Sequence, residues 1–326
     1  MTAVESGLVE IVREFLAAHR LLRRVGERYR TRELGFEEVG ELVGDSERSV
    51  LFRLKERSHA LFRGERGDGA IGPTALFDLA VGSLFHEAMK FRENFYQRAA
   101  YGPKVHALRQ AEVKDESGLL PEFEKLLAAA ALRIDESLQE LDTLLGQTTA
   151  QFRVVLVAHA DEGALARVLV ARGQELAEVL ATPVEQFFTE LYGNPAAAWS
   201  RAGRSFLASG FFAEAAAALG EAARQGRCDA DDLRLRDYAL GMSAYLEGRY
   251  ADAVSGLVAW LGASSSPLAA GERSLARQAG AALSRVGALA GSGSPEAAAA
   301  TLGLERLRTL DPEAGPPATN PARPRR

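Results

Sequence analysis

Along most of the chain, apolar residues recur every three or four positions, the period of an α-helix that buries one face. The first such stripe runs through Leu8, Val12, Phe15, Leu16, His19, Leu22, Val25 and Tyr29, with arginines between them, and Gly35 breaks it. Two shorter helical patterns, Phe36–Val43 and Glu47–Phe62, follow on either side of Gly44-Asp45-Ser46. Residues 63–73 contain four glycines and form a loop by composition. From Thr74 to Tyr101, Leu76, Phe77, Leu79, Ala80, Leu84, Ala88, Phe91, Phe95 and Ala99 fall on one broad face. Thr74 is placed to cap that helix, and Gly102-Pro103 to end it.

Pro121 suits the first turn of another helix. Beyond it Leu127, Ile134 and Leu141 repeat every seven residues, with Ala131, Leu138 and Leu145 four behind them. That spacing predicts a short coiled-coil-like seam within a helical hairpin. Phe152–Ala158 is β-branched enough to be a strand, but no nearby segment offers it a partner, and a lone strand is unstable. It is therefore assigned to helix. Further helices are expected at Gly163–Val170, Gln174–Leu180 and Val184–Tyr192, with a domain boundary at Gly193-Asn194-Pro195. The pattern as a whole predicts an all-α protein. Residues 1–194 form an irregular multi-helix domain, 195–312 an array of helical hairpins, and 313–326 a Pro-rich disordered tail.

In the second half one motif returns. Trp199, Ala202-Gly203, Phe206, Gly210-Phe211-Phe212, Ala215, Leu219 and Ala222 are followed by Leu240-Gly241, Ala244-Tyr245, Gly248-Arg249-Tyr250, Ala253 and Leu257. This resembles the tetratricopeptide repeat, in which small residues let two antiparallel helices approach and large ones fill the space between hairpins. Gly203 to Gly241 is 38 residues (241 − 203), against about 34 in the family, and the polar linker Gln225–Asp232 takes up the excess. A third, degraded copy spans Leu275 to Leu310, its second helix opened by Pro295. A generic Ala-rich helical bundle is the alternative. The resemblance implies that the first helix of each hairpin lines a concave groove, which places Ser200, Arg204, Leu207 and Ala208, then Tyr238, Met242, Tyr245 and Leu246, against a partner peptide or helix.

A second segment, Leu34 to Arg63, resembles the DNA-reading helix-turn-helix at the end of bacterial sigma factors. Glu37-Glu38-Val39 opens the first helix, Glu41-Leu42-Val43-Gly44 ends it, and Ser46-Glu47-Arg48-Ser49-Val50 starts the second. The resemblance implies that Arg48, Ser49 and Arg53 face the major groove, with Lys55, Arg57 and Arg63 on phosphates. An ordinary helical hairpin with a glycine turn accounts for the same residues. From Arg13 to Arg66 there are 13 Lys/Arg and 10 Asp/Glu, a net of +3, which is modest for a DNA binder.

Composition narrows the remaining choices. Over 326 residues the formal charge is −5 and the pI about 5.7, which argues against a surface devoted to nucleic acid or an anionic membrane. Cys228 is the single cysteine, so no internal disulfide is available, and no apolar run reaches the roughly 20 residues a bilayer requires. The N-terminal stretch lacks the apolar core of a signal peptide. A cytoplasmic protein without membrane insertion is expected. Glu87 is followed by Lys90 where a di-metal bundle needs histidine, and phosphate-binding or nucleophile-elbow motifs are absent from the sequence. No cofactor, no metal and no enzymatic activity are therefore expected. The sequence points first to an adaptor that binds a protein or peptide partner, and secondly to a transcription regulator in which residues 34–63 bind DNA.

Overall fold

The computed structural model describes residues 3–64, 72–110, 118–226, 229–264, 268, 271–291 and 293–311. Among them are fourteen α-helices and no strand. The chain divides into two compact units, Met1–Leu191 and Tyr192–Arg326.

In the first unit α1 (Ala3–Arg30), α2 (Phe36–Leu42) and α3 (Val50–Gly64) are followed by two long helices, α4 (Pro73–Gln110) and α5 (Leu119–His159). The pair α4–α5 forms its most extensive packing. At 38 and 41 residues these helices extend about 57 and 61 Å, at roughly 1.5 Å per residue. Ile134, Leu141 and Leu145 of the heptad seam are buried, and Phe152–Ala158 is helical, a continuation of α5. Short helices α6 (Gly163–Ala171), α7 (Gly173–Val179) and α8 (Val184–Tyr192) complete the unit.

Three phenylalanines from three helices make its centre. Phe15 of α1 stacks on Phe152 of α5 with ring centroids 4.0 Å apart, and Phe77 of α4 meets both at 6.1 and 5.7 Å. Each such burial contributes about 1.5–3 kcal/mol. Polar contacts fix the periphery. The Glu5 carboxylate accepts from the Ala164 backbone N–H, so a side chain of α1 satisfies a free donor at the start of α6.

Two local expectations need correction. Gly102-Pro103 does not end α4, which carries Pro103 inside it and continues to Gln110. Its start also lies at Pro73, so Thr74 is a buried helical residue and not a cap. On the broad face read from the sequence, Leu76 and Leu79 are exposed, while Phe77, Leu84, Ala88 and Phe91 form the buried stripe. Residues 65–71 of the glycine-rich loop, and the tail 313–326, lie outside the described residues, as does Cys228.

The second unit consists of α9 (Pro195–Ala208), α10 (Phe212–Arg224), α11 (Ala230–Leu246), α12 (Tyr250–Ala263), α13 (Glu272–Ala290) and α14 (Pro295–Leu310). Consecutive helices pair as α9–α10, α11–α12 and α13–α14. Gly210 and Gly248 terminate α9 and α11 at φ +78° and +77°, a backbone that side chains disfavour. Close approach within each pair also depends on glycine. A Cβ at Gly203 would lie 2.6 Å from Leu219 Cγ, at Gly241 2.8 Å from Leu257 Cγ, and at Gly280 2.7 Å from Leu307 Cδ2. Between pairs, α10 packs on α11. The third pair is attached differently: α12 packs chiefly on α14, and much less on α13.

Candidate functional site

The residues expected to line the groove separate into two groups. Tyr238 is 0% exposed, and Leu207 and Met242 are also buried. The Tyr238 ring packs edge-on against Trp260 of α12 at 5.0 Å and Phe212 of α10 at 6.0 Å, while its hydroxyl donates to Gln278 Oε1 of α13 at 3.1 Å. Burial raises its pKa above the usual tyrosine value. Leu207, Tyr238 and Met242 are thus parts of the hydrophobic core and not contact residues for a ligand. The cause lies in the third hairpin: α13 reaches the side of α11 on which Tyr238 stands.

Ser200, Arg204 and Tyr245 remain partly accessible, and Ala208 and Leu246 are exposed. Arg204, with a side chain 41% exposed, is already engaged. Its Nε donates to Asp232 Oδ1 at 2.7 Å and its Nη2 to Asp229 Oδ2 at 3.1 Å. The Asp232 carboxylate is 3% exposed. Asp229 in turn caps α11 by accepting from the Asp232 N–H at 2.6 Å. Arg204 therefore ties α9 to the start of α11, and a buried carboxylate depends on it. Arg234 holds α11 from another side, donating to Ser264 Oγ at 3.0 Å, to Asp231 and to Glu272 of α13. Burial works against the Arg234 charge, but its bonds to Glu272 and Asp231 outweigh that and hold its pKa above the usual arginine value.

Between these two anchors α11 is open. Leu233 and Leu240, seven residues apart on one face, are 38% and 50% exposed, with half-buried Arg236 between them. Residues at this spacing line one side of a helix. Phe211, at the turn after α9, and Leu246, at the end of α11, are also exposed. This open stripe was missed from the sequence because Leu240 stands before Gly241 as Ala202 stands before Gly203, a place where the repeat pattern packs one helix on the next. Its signal was present in the Leu233/Leu240 spacing.

The residues expected to read DNA are placed differently again. Only Arg48 is exposed as expected. The second helix starts at Val50 and not at Ser46, so Ser49 precedes it, 0% exposed. Its hydroxyl donates to the Leu42 carbonyl at 3.0 Å and accepts from the Phe52 N–H at 3.3 Å, closing the turn between α2 and α3. Arg53 Nε donates to Glu14 Oε2 of α1 at 2.9 Å, and its Nη1 to the carbonyls of Glu47 and Arg48. Arg57 pairs with Glu10 and Glu14, and the Lys55 ammonium stands 4.7 Å from the Phe85 ring centroid. The Arg63 side chain lies outside the described residues. Ser49 and Arg53 serve the fold, so the set expected to face a major groove is not assembled.

Among the described residues no three His, Cys, Asp or Glu side chains gather as a metal site, and no helix is long and apolar enough to cross a membrane. Comparison with known proteins returned no matching family model, no matching curated protein and no matching solved structure.

Proposed function

We propose that the second unit is a short tetratricopeptide-like array acting as a non-enzymatic protein-interaction module. In this reading its contact surface is the open face of α11, and the occupant is an amphipathic helix or extended peptide from a partner protein. The observation that carries it is the stripe Leu233–Arg236–Leu240. It is apolar, flanked by charge, and held on a helix anchored from two sides by Arg204 and Arg234. Interfaces commonly centre on a few apolar and arginine side chains presented by rigid elements, with polar groups at the rim. The glycine-mediated approach of Gly203 to Leu219 and of Gly241 to Leu257 supports the repeat assignment.

A DNA-binding role is less well supported, since Ser49 and Arg53 are engaged within the protein. The interaction reading is tested by placing a photo-activated cross-linking side chain at Leu240 in the full-length chain, with exposed Ala217 of α10 as the control position. A discrete adduct at Leu240 that is absent at Ala217 is expected from cell extract. Identical products at both positions would rule the surface out.

A further inference from the structure

An open cleft runs along the outer side of the α4–α5 pair, lined by Glu87, Lys90 and Asn94 of α4 and by Arg133, Ser137 and Glu140 of α5. Glu87 accepts from Ser137 Oγ at 2.8 Å and pairs with Lys90 at 2.9 Å, so this half of the face is polar and partly satisfied within the protein. The lining residues recur at intervals of three and four, the spacing that keeps side chains on one side of a helix. The same spacing continues through Ser83, Ala80 and Leu76 on α4 and through Leu144, Gln147, Gln151 and Val154 on α5. These two stretches lie side by side: Thr148 Oγ1 is 3.4 Å from the Ala80 carbonyl, and the Phe77 and Phe152 rings are 5.7 Å apart.

Here the face changes character. Leu76, Leu79 and Val154 are exposed, and Ala80 and Leu144 are half-buried. Between Thr74 and Phe85 the one charged residue is Asp78, which turns to α3 and accepts from Ser58 Oγ at 2.7 Å. Between Thr143 and Phe152 there is none, and Arg153 is bound to Glu190 of α8. Charged residues make up 25% of the chain, so an uncharged, partly apolar face across two helices is unlike a solvated surface and like the centre of an interface. Its polar groups include Gln147 and Gln151, and among the described residues neither amide makes a side-chain hydrogen bond. An amide both donates and accepts, so it can pair with its own copy across a two-fold axis, where a charged group repels itself.

We propose that this face pairs with the same face of a second copy of the chain, two α4–α5 hairpins meeting in a four-helix arrangement. The two-fold axis passes through the uncharged half, near Gln147 and Gln151, and the charged halves lie at the two ends as a wet rim. A partner with surplus charge of one sign finds nothing to pair with at the centre, whereas a second copy brings matching leucines, valine and amides. Leu144 to Ala158 is about 22 Å long at roughly 1.5 Å per residue, and two adjacent helices are about 20 Å across. A footprint on the order of 400 Å² per copy makes the pairing weak and reversible. It is independent of the interaction surface proposed for the second unit.

Sedimentation equilibrium of the full-length protein between about 1 and 100 μM tests the pairing, with a monomer–dimer equilibrium expected inside that range. Leu79→Lys and Val154→Lys change exposed positions. Each is expected to raise the dimer dissociation constant by about tenfold or more while the helical circular dichroism stays unchanged. Gln147→Glu and Gln147→Lys are each expected to do the same, and an equimolar mixture of the two to recover the dimer, because unlike charges then meet across the axis. Leu240→Glu, on the second unit, is expected to leave the equilibrium as it is. A chain that stays monomeric over the whole range gives the face to another partner and overturns the inference. So does a dimer untouched by the Leu79 and Val154 changes, a dimer lost through Leu240→Glu, or a charge mixture no tighter than its parts.

Discussion

The close approach of helices in the second unit rests on single atoms. Gly203 meets Leu219 so tightly that one methyl group must displace the leucine or the helix backbone. Gly203→Ala is therefore expected to destabilise the protein by about 1–3 kcal/mol in urea unfolding. Gly40→Ala, where nothing lies within 4 Å, is expected to stabilise it by about 0.5–1 kcal/mol. Equal effects at the two sites would contradict the packing account. His19 supplies a pH-dependent test. Burial first, and then the Arg23 charge, lower its pKa below 6.5, and Asp142 opposes them only in part. The unfolded chain then takes up the proton more readily than the folded one. The stability contributed by neutral His19 is complete above about pH 6.5 and is lost as pH falls through the lower folded value. Melting temperatures between pH 8 and 5 are expected to fall less in His19→Gln than in the native protein; an unchanged slope would show that His19 is not the group involved.

Helices were the most legible elements in the sequence, because a 3.6-residue apolar period leaves little else for the chain to do. The ends were less legible. Gly102-Pro103 reads as a stop, yet α4 continues for seven residues beyond Pro103. Proline removes one backbone donor and crowds the preceding turn, a local cost that packing along a long helix can exceed. Pro103→Ala is accordingly expected to raise stability by about 1–3 kcal/mol in urea unfolding. A destabilised variant would mean that α4 needs the proline where it is. Ser49 shows the same limit at a turn, where four residues of displacement in a helix start converted an expected DNA contact into a buried cap. Nothing in the local sequence distinguishes those two registers. The difference is made by Arg53 reaching Glu14, 39 residues away.

At the scale of the molecule, which side of α11 faces solvent depends on where the third hairpin packs. Tyr238 and Leu240 are both apolar, and a repeat pattern that stacks each hairpin in the same way buries Leu240 and exposes Tyr238. The observed arrangement is the reverse, because α13 reaches Tyr238 while the third hairpin meets α12 mainly through α14. Small residues at Gly203 and Gly241 made the hairpins legible; the attachment of the third hairpin depends on contacts distant in sequence, and so the contact surface was not. The most direct test of the interaction reading is affinity capture from cell extract by three forms of the full-length chain: native, Leu233→Glu/Leu240→Glu, and Tyr238→Phe. All three are expected to fold, as the first two changes are at exposed positions and the third removes only one hydroxyl bond, worth about 0.5–1.5 kcal/mol. The account predicts a partner retained by the native and Tyr238→Phe forms and lost from the double variant. A partner retained by the double variant and lost from Tyr238→Phe would contradict it and return the contact surface to the other side of α11.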